Sequence, residues 1–313
     1  MSRSLYLVTG GAGFIGSHVV RALLARGDAV RVLDDFSTGK RAHLEGLTGT
    51  LEVHEGDIRS TATCAAAMRG ASHVLHFAAL PSVARSVADP QASQDVNCNG
   101  TFNLLMAARE AKVQRFVYSS SSSVYGDNPD LPKEEGMRTM PLSPYAVSKL
   151  AAEHYCTVFA SLYGLPTVSL RYFNVFGPRQ DPTSQYSAVI PRFITALLKG
   201  EPPTVNGDGG QTRDFTYVAN VVHANLLSCT AKVEGPVVVN IGAGQRTSLL
   251  ELLAQLEALT GRKASPVFAA PRPGDVRDSL AAIGRARDRI GYQPVNDLAS
   301  GLKETLAYFK GLV

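Results

Sequence analysis

Residues 5–18 read LYLVTGGAGFIGSH, an apolar run that leads into a glycine-rich turn and then into helical periodicity. Gly10, Gly13 and Gly16 follow the spacing GxxGxxG. The first glycine allows the tight turn, the second lets a pyrophosphate approach the backbone, and the third lets the helix pack against the strand. A glycine turn without a ligand is the alternative, but a strand before it and a helix after it favour a dinucleotide site. The cofactor-binding residues predicted here are Gly10, Gly13, Phe14, Ile15 and Gly16.

A carboxylate follows the second apolar run at the distance that a dinucleotide site requires. Asp34 ends the segment AVRVLD, about twenty residues after the glycines. Its carboxylate can accept hydrogen bonds from the adenosine ribose hydroxyls and repels a 2′-phosphate, which favours NAD over NADP. Cations that could accommodate such a phosphate stand nearby, at Arg31, Lys40 and Arg41. The segment GDIR (56–59) follows the next strand and adds Asp57 and Ile58 as predicted cofactor contacts.

Further apolar runs predict the fold. Short runs that are typical of buried strands alternate with segments of helical length through the first half of the chain. Helical spacing predicts helices over residues 14–26, 92–111 and 143–163. The alternation predicts an α/β fold, a doubly wound parallel sheet with helices on both faces. The predicted strands are residues 5–9, 29–33, 73–78, 115–119, 166–172 and 237–244.

The pattern changes after residue 172. Residues 173–182 and 200–215 are rich in glycine, proline and charge, and are predicted to be loops. We therefore predict a second, smaller domain that binds the substrate. The dinucleotide-binding domain is predicted to cover residues 1–172 and the second domain mainly residues 173–313, with part of 213–245 returning to the first.

Composition narrows the class of protein. With 313 residues, 45% of them hydrophobic and 19% charged, the chain can bury a large core and is not a disordered protein. A net charge of +4 is too small for a field that grips nucleic acid. No run approaches the ~20 apolar residues that cross a membrane, and the N-terminal run is too short for a signal sequence. Four scattered cysteines without a CxxC pair indicate neither a metal cluster nor a disulfide framework, and favour a reducing cytoplasm.

A tyrosine and a lysine stand four residues apart in PLSPYAVSKL (141–150). On a helix that spacing puts Tyr145 and Lys149 on one face, and Ser143 and Pro144 are suited to begin that helix. Alone this is an ordinary surface pair, but after a dinucleotide loop it fits the oxidation of an alcohol, in which a base accepts the hydroxyl proton as hydride leaves. Bringing a tyrosine pKa from about 10 to about 7 requires roughly 4 kcal/mol. A cation at roughly 6 Å supplies about 2.8 kcal/mol at an effective dielectric of about 20, so Lys149 and a nicotinamide charge can lower that pKa before desolvation is subtracted.

Five serines stand in a row in YSSSSSVYG (118–126). A serine run is typical of a flexible linker. Here it ends a predicted core strand, at the carboxyl edge of the sheet where such folds bind ligands. A hydroxyl at that edge can hold the reacting oxygen and pass its proton to Tyr145, so the run is predicted to form the floor of the site.

Together these segments resemble the extended short-chain dehydrogenase/reductase family, which has a Rossmann-like fold, and within it the NAD-dependent nucleotide-sugar 4-epimerases. The resemblance covers essentially the whole chain and is nearest to bacterial UDP-N-acetylglucosamine and UDP-glucose 4-epimerases. Besides the glycine, serine and Tyr-Lys motifs, it depends on HFAA (76–79), NCNGT (97–101), RYFNVFGPR (171–179), GDGGQTRDF (207–215) and RPGDVRDS (272–279).

The resemblance implies a mechanism and roles within it. Tyr145 would take the proton of the 4′-hydroxyl while tightly held NAD accepts the hydride. The 4-keto sugar would then turn about its diphosphate link and receive the hydride on its other face, so that no cofactor is consumed. Counted back from VYG (124–126), Ser121 is the implied catalytic serine, and Ser122 and Ser123 would face the sugar.

The resemblance also implies how the substrate is held. Asn174 would meet the diphosphate or the sugar, and Asp275 would accept from the uridine ribose. Arg213 and Arg272 would clamp the phosphates, for which a planar guanidinium is well suited. Ser279 stands where hexose-only bacterial members carry a bulky tyrosine, which leaves room for N-acetylated UDP-hexoses. The alternative is that these polar residues only cap loops or pair with each other.

Other activities of the same family stay open to different degrees. The 4,6-dehydratases place an Asp-Glu pair where Ser122 and Ser123 stand, so elimination lacks its acid and base here, and UDP-glucuronate decarboxylases usually carry a glutamate near this place. UDP-glucuronate 4-epimerases keep the serines and tend to have threonine in place of Ser279, so they remain the main alternative. A non-catalytic NAD-binding protein is less favoured, because such relatives usually lose the Tyr-Lys pair.

The helices predicted near 92–111 and 143–163 carry more apolar side chains than the sheet requires. In the family, these two helices form a four-helix dimer interface, and burial within the monomer is the alternative. The resemblance therefore implies a homodimer that binds a UDP-sugar. The side chains concerned are Phe102, Leu105, Tyr155 and Phe159.

Overall fold

The computed structural model describes residues 4–182, 188–270 and 276–312. Its strands, β1 to β13 in chain order, are Leu5–Thr9, Ala29–Asp34, Leu51–Glu55, His73–His76, Arg115–Ser121, Thr167–Tyr172, Val175–Phe176, Thr204–Asn206, Thr212–Arg213, Thr216–Tyr217, Val237–Ile241, Thr247–Ser248 and Val267–Ala269. Its α-helices, α1 to α11, are Phe14–Ala25, Thr61–Met68, Val83–Ala88, Pro90–Gln94, Thr101–Glu110, Pro144–Tyr163, Val189–Lys199, Val218–Thr230, Leu249–Thr260, Gly284–Ile290 and Leu298–Lys310. Short 3₁₀ helices cover Arg41–His43 and Ser122–Tyr125, and a π-helix covers Asp95–Gly100.

A seven-stranded sheet in the order β11-β6-β5-β4-β1-β2-β3 forms the centre of the molecule. Neighbouring strands in it pair in parallel. The predicted α/β doubly wound fold is therefore confirmed. The order of connection reverses between β1 and β4, and at such a switch point the carboxyl ends of the strands diverge and open a crevice for ligands.

Apolar side chains cover the sheet on both faces. One face packs against α1 and α8, through residues such as Val19, Leu23 and Val221. The opposite face packs against α2, α5 and α6, through residues such as Leu104 and Ala152. Each valine or leucine side chain buried in this way contributes about 1.5–3 kcal/mol, so these two layers stabilise the sheet.

A separate apolar cluster lies among α7, α9 and α11 and joins residues such as Phe193, Leu252 and Leu306. Strand β11 belongs instead to the central sheet, where Val237–Ile241 pairs with β6. This segment, which falls within the predicted returning part 213–245, thus lies beside β6. The division of the chain into two domains stays a prediction. Within the described ranges, no helix is both long enough and apolar enough to cross a bilayer.

The single helix predicted over 92–111 is wrong in detail. The structure divides this stretch into α4, the π-helix Asp95–Gly100 and α5. The side chain of Asn97 accepts a hydrogen bond from the Leu80 backbone N–H at 2.8 Å and donates to the Leu80 carbonyl at 3.3 Å. These tertiary bonds turn the side chain towards the loop after β4, and an inserted π-turn is a common feature of functional sites.

The loops predicted over 173–182 and 200–215 contain short strands. Val175–Phe176 pairs with Thr216–Tyr217, and Thr212–Arg213 pairs with Thr247–Ser248. Thr204–Asn206 pairs with Val267–Ala269. Strands of two or three residues show no alternating pattern, so the sequence offers no period by which to recognise them.

Gly126 is expected to be indispensable for the path of the chain after the serines. Its φ of +54° and ψ of −132° suit glycine alone, and a Cβ there would overlap the Met140 carbonyl oxygen. Replacing Gly126 with Ala should lower the free energy of unfolding by about 2 kcal/mol or more, as measured by urea denaturation. Gly136→Ala is the matched control, because a Cβ at Gly136 meets no atom of the described residues within 4 Å. Equal free energies of unfolding for the two variants would contradict the requirement for glycine at position 126.

Candidate active site

The glycine turn after β1 brings three backbone segments into direct contact. Gly10 has a φ of +67°, and a Cβ on it would lie 2.6 Å from the Ala78 backbone nitrogen. A Cβ at Gly16 would overlap the carbonyl oxygen of Gly10. The turn thus packs against the loop after β4 on one side and against α1 on the other. Gly13 precedes α1, whose first backbone N–H groups have no intrahelical partner and form a cradle for an anion.

Asp34 fixes the other side of this turn. Its buried carboxylate accepts hydrogen bonds from the backbone N–H groups of Ala12 and Phe36, both at 2.9 Å. Burial raises the pKa of Asp34, and the two backbone hydrogen bonds oppose that rise. The carboxylate therefore binds its own turn as well as lining the groove in which a ribose would lie.

The cations near Asp34 are not equivalent. Arg31 donates to Glu52 at 2.7 Å and to the Ala67 carbonyl at 2.9 Å. Arg41 pairs with Glu55. Of the three cations that the sequence placed near Asp34, the one that lines the groove is Lys40. Two of the charges that could have favoured a 2′-phosphate are thus engaged by acidic side chains.

A groove of about 700 Å³ runs along the switch point from the glycine turn to α6. All of the residues predicted to bind the cofactor line this groove, although they range from Gly10 to Lys149 along the chain. Its cradle of backbone N–H groups, its acid at the ribose end and its close glycine contacts fit a dinucleotide. The residues in question are Gly10, Gly13, Phe14, Ile15, Gly16, Asp34, Asp57, Ile58, Tyr145 and Lys149.

Helix α6 holds Tyr145 and Lys149 at the far end of the groove. Ser143 caps the helix as predicted, because its side chain accepts from the Ala146 N–H at 3.2 Å. Lys149 is 5% exposed, and its Nζ donates to the Ser119 carbonyl at 2.8 Å. Burial lowers the pKa of Lys149 to about 8 and raises the pKa of the Tyr145 phenol. Desolvation is thus the largest influence on both groups, and a hydrogen bond with Ser121 opposes it at Tyr145.

The five serines divide into two groups. Ser119 and Ser120 are buried, with Ser119 Oγ 3.3 Å from the Tyr172 hydroxyl and Ser120 Oγ donating to Glu153 at 2.6 Å. Ser121 ends β5 and is hydrogen-bonded to Tyr145. Ser123 Oγ donates to Ser121 Oγ at 2.9 Å, so three hydroxyl groups are linked in series. The half-buried Ser122 and Ser123 begin the 3₁₀ helix that follows.

A buried ion pair beneath the serines was missed by the sequence reasoning. Glu153 accepts from Arg171 at 2.6 and 3.0 Å, and both side chains are almost wholly buried. The Arg171 guanidinium also lies over the Tyr125 ring, 4.8 Å from its centroid. The available signal was the spacing, since Glu153 stands one helical turn beyond Lys149 on the face that must be buried.

A second missed group ties the glycine turn to the π-helix. Thr9 Oγ1 lies 2.6 Å from His76 Nδ1, and His76 Nε2 lies 2.8 Å from Thr101 Oγ1. Thr101 uses its own hydroxyl hydrogen on the Asn97 carbonyl at 2.6 Å. Therefore His76 must donate from Nε2 and accept from Thr9 at Nδ1. Burial lowers the pKa of His76 to about 3, so this neutral tautomer persists.

A smaller pocket of about 220 Å³ shares Ala188 with the groove and contains two of the predicted substrate residues. Asn174 and Arg213 line this pocket. Asn174 Nδ2 donates to Ser279 Oγ at 3.0 Å and to the Asp214 carbonyl at 3.1 Å. Arg213 donates to the Arg277 carbonyl at 2.7 Å. Two further predicted residues, Arg272 and Asp275, lie outside the described residues.

Asp214 organises the backbone around this pocket and was also missed. Its carboxylate is fully buried and accepts from the N–H groups of Ala243 at 2.7 Å, Gly244 at 3.1 Å and Ala281 at 3.1 Å. Burial raises its pKa to about 6, and the three backbone donors oppose that rise. The carboxylate thereby joins the chain after β11 to the strand-like segment that follows Ser279.

A dinucleotide groove at the switch point, a Tyr-Lys pair on one helix face and a serine bonded to that tyrosine define an enzyme that oxidises or reduces with a bound nicotinamide cofactor. The chain belongs to the NAD dependent epimerase/dehydratase family, whose model matches residues 6–242. The predicted family and its cofactor NAD are thus confirmed.

The chain is similar over its full length to characterised members of this family. It is 40% identical to a UDP-glucose 4-epimerase of Mycolicibacterium smegmatis, over 97% of this chain and 98% of that protein. A UDP-N-acetylglucosamine 4-epimerase from Methanobrevibacter ruminantium, solved with UDP-N-acetylmuramic acid, superimposes with a TM-score of 0.95 at 38% identity, and covers 100% of both chains. A UDP-glucuronic acid 4-epimerase from Bacillus cereus, solved with UDP-glucuronic acid and NAD, gives 0.91 at 34% identity, covering 99% and 100%.

Proposed function

We propose that this NAD-dependent UDP-sugar 4-epimerase interconverts UDP-N-acetylglucosamine and UDP-N-acetylgalactosamine, together with UDP-glucose and UDP-galactose. The residue that supports this choice of substrate is Ser279. Its small hydroxyl accepts from Asn174 at 3.0 Å and from the Asp214 backbone N–H at 3.4 Å. These bonds hold a short side chain against Asn174, which lines the smaller pocket, and a short side chain there is proposed to leave space for an acetamido group.

The proton in the proposed reaction moves through side chains of this chain. Tyr145 accepts the proton of the sugar hydroxyl at C4 and returns it after the sugar has turned. Ser121, already bonded to Tyr145, shares that hydroxyl and connects it to Ser123. Lys149 holds positive charge beneath the site, where it favours the tyrosinate. Bound NAD supplies the acceptor and donor of the hydride.

Elimination or decarboxylation is less compatible with the carboxylates of the site. Glu153 is the acid that reaches the serine run, but it lies beneath the strand and is engaged by Arg171 and Ser120. Asp127 is exposed beyond the run. Ser122 and Ser123 stand where a dehydratase requires an acid and a base. In the proposed reaction, the keto sugar is therefore reduced back to an alcohol and does not undergo elimination or decarboxylation.

UDP-glucuronate 4-epimerisation is the second candidate. It is favoured by the likeness to the Bacillus cereus enzyme, which shares 34% identity over 99% of this chain. A threonine in place of Ser279 adds one methyl group, which is a small steric difference. The two candidates thus differ in the group carried at carbon 5 or carbon 2 of the sugar and not in the chemistry at carbon 4.

Incubation with single UDP-sugars separates these candidates. UDP-N-acetylglucosamine and UDP-glucose should each equilibrate with their C4 epimer, resolved by chromatography, while UDP-glucuronate should not. Ser279→Tyr should lose most activity on the acetamido sugar and keep activity on UDP-glucose, because its ring would fill the space beside carbon 2. Ser279→Ala is the control for loss of the hydroxyl alone. Epimerisation of UDP-glucuronate only, or equal losses on both sugars in Ser279→Tyr, would reject the proposed substrate.

Ser121 and Ser119 offer a matched test of the proton path. Ser121→Ala removes the hydroxyl bonded to Tyr145 and should lower kcat by about 10²–10⁴-fold, the range of general acid–base contributions. Ser119→Ala removes a hydroxyl that faces Tyr172 and should change kcat by less than about tenfold. Steady-state rates with UDP-glucose measure both variants. A larger loss in Ser119→Ala would mean that the serine run has been misaligned with the reaction.

We further propose a homodimer formed through α5 and α6. Two of the four apolar side chains first considered are wrong for this purpose, because Leu105 and Phe159 are buried within the chain. Phe102 and Tyr155 are 38% and 40% exposed and touch each other, with ring centroids 5.1 Å apart. Further exposed apolar side chains lie on α6, at Val147, Val158, Leu162 and Tyr163. A continuous apolar face of two helices is typical of a helical dimer interface.

Leu162 is the most exposed of these side chains, at 72%. Leu162→Asp should shift the protein from dimer to monomer in multi-angle light scattering, because an aspartate at an apolar interface loses its hydration. Leu312→Asp is the control, since Leu312 is 63% exposed and lies outside both helices. A monomeric wild-type protein, or a dimer that persists in Leu162→Asp, would remove the interface from this face.

We also propose the cytoplasm as its location. All four cysteines are buried and free. Unpaired thiols are typical of proteins that stay in a reducing compartment. The use of NAD and the proposed nucleotide-sugar substrates are also consistent with a cytoplasmic location.

A further inference from the structure

An arginine from the second half of the chain lies at the glycine turn. Arg179 follows β7, in the segment that leads to α7, and its side chain lines the groove together with Gly13, Lys40 and His43. His18 Nε2 donates to the Pro178 carbonyl at 2.9 Å, which ties this segment to the second turn of α1. The arginine thus reaches the groove from a segment outside the glycine turn.

Arg179 has a strained backbone conformation and forms no salt bridge with any residue in the described ranges. Its φ of +67° is uncommon for a residue with a side chain. Its Nε is buried and has no hydrogen-bond partner among the described residues. Burial and the nearby Arg21 lower its pKa to about 10. A buried donor without a partner is costly, and a bound anion would supply the missing acceptor.

The surroundings of Arg179 are basic. Arg21 Nε is likewise buried without a partner, and another nitrogen of Arg21 donates to the His43 carbonyl at 3.1 Å. Burial, together with the charges of Arg179 and Arg21, lowers the pKa of His18 to about 4. His43 has a lowered pKa for the same reasons. Asp34, which lines the same groove, already accepts hydrogen bonds from two backbone N–H groups.

We propose that Arg179 binds the pyrophosphate of the dinucleotide, and so holds the cofactor from the face opposite to the glycine turn. The backbone N–H groups at the start of α1 would take one side of the diphosphate and the guanidinium the other. A planar guanidinium binds phosphate oxygens in pairs, which suits it for this role. Arg179 lines the dinucleotide groove and not the pocket that contains Asn174 and Arg213. That placement favours the cofactor's diphosphate over the substrate's.

Arg179→Asn is the variant of choice, because asparagine tolerates a positive φ and removes the guanidinium. The purified holoprotein should release NAD about 10- to 100-fold faster on dilution than wild type, the range expected for a charge-assisted hydrogen bond to phosphate. NAD per chain is measured in acid extracts after gel filtration. Arg179→Lys should fall between the two. Arg287→Asn is the control, since Arg287 is exposed, pairs with Asp288 and is absent from the groove lining.

Thermal melting distinguishes a ligand contact from a structural role. The NAD-free Arg179→Asn protein should melt at or above the temperature of NAD-free wild type, because an uncompensated charge and a strained residue have been removed. Saturating NAD should then raise that temperature by less than in wild type, and UDP affinity by calorimetry should change by less than twofold. NAD release equal to wild type, a lower melting temperature without NAD, or weaker UDP binding with unchanged NAD release would each overturn the proposal. A wild-type protein that binds NAD but epimerises nothing would reject the proposed function and leave this inference standing.

Discussion

The buried ion pair between Glu153 and Arg171 sets the geometry on which the active site depends. It connects α6, which carries Tyr145, to β6, and Ser120 joins β5 to the same carboxylate. A buried pair of this kind is weak evidence of net stability, but loss of one partner costs about 3–5 kcal/mol because it strands a charge. Both partners must therefore stay in register, and with them the helix and the two strands. The contact between Ser121 and Tyr145 follows from that register.

Charges in this molecule fall into two groups with different consequences. Glu153 is neutralised by an arginine, while Asp34 and Asp214 are satisfied by backbone N–H groups. These acids are internal supports of the loops that surround the groove and the pocket. The cations Lys149 and Arg179, in contrast, line the groove, and burial lowers the pKa of each. Asp34 is satisfied by backbone donors, while Lys149 and Arg179 form no salt bridge within the described residues, so the groove suits an anionic ligand.

Sequence patterns predicted those features that depend on local spacing. The glycine turn, Asp34 and the Tyr-Lys pair each follow from steric or helical periodicity, and the structure brings them to one groove. The bonds of Asn97 to Leu80 join residues seventeen positions apart and leave no local pattern. The pair Glu153–Arg171 joins β6 to α6, so the spacing of Glu153 indicates that it is buried but not which residue it contacts. The same limit explains why Leu105 and Phe159, apolar at helical spacing, were assigned to an interface although they are buried in the core. Periodicity identifies the apolar face of a helix, but it does not show whether that face packs in the core or at an interface.

The serine run shows that residues of one type take different roles within one strand. Alternate side chains of a strand point to opposite faces, yet Ser119 and Ser120 are both buried, each against a different partner. Ser121 is the first residue free of the core, because β5 ends there.

In the proposed reaction, the sugar must turn while its nucleotide stays bound, and the side chains available suit that requirement. Guanidinium groups bind phosphate through charge-assisted bonds worth about 1.5–3 kcal/mol, whereas hydroxyl groups contribute about 0.5–1.5 kcal/mol each. Arg213 lines the pocket and Arg179 lines the groove, and the serines end β5 at the sugar end. Because hydroxyls can both donate and accept, they can bond to either face of a turned pyranose with little preference. A carboxylate in place of Ser122 or Ser123 would accept only, and would favour one orientation of the sugar over the other.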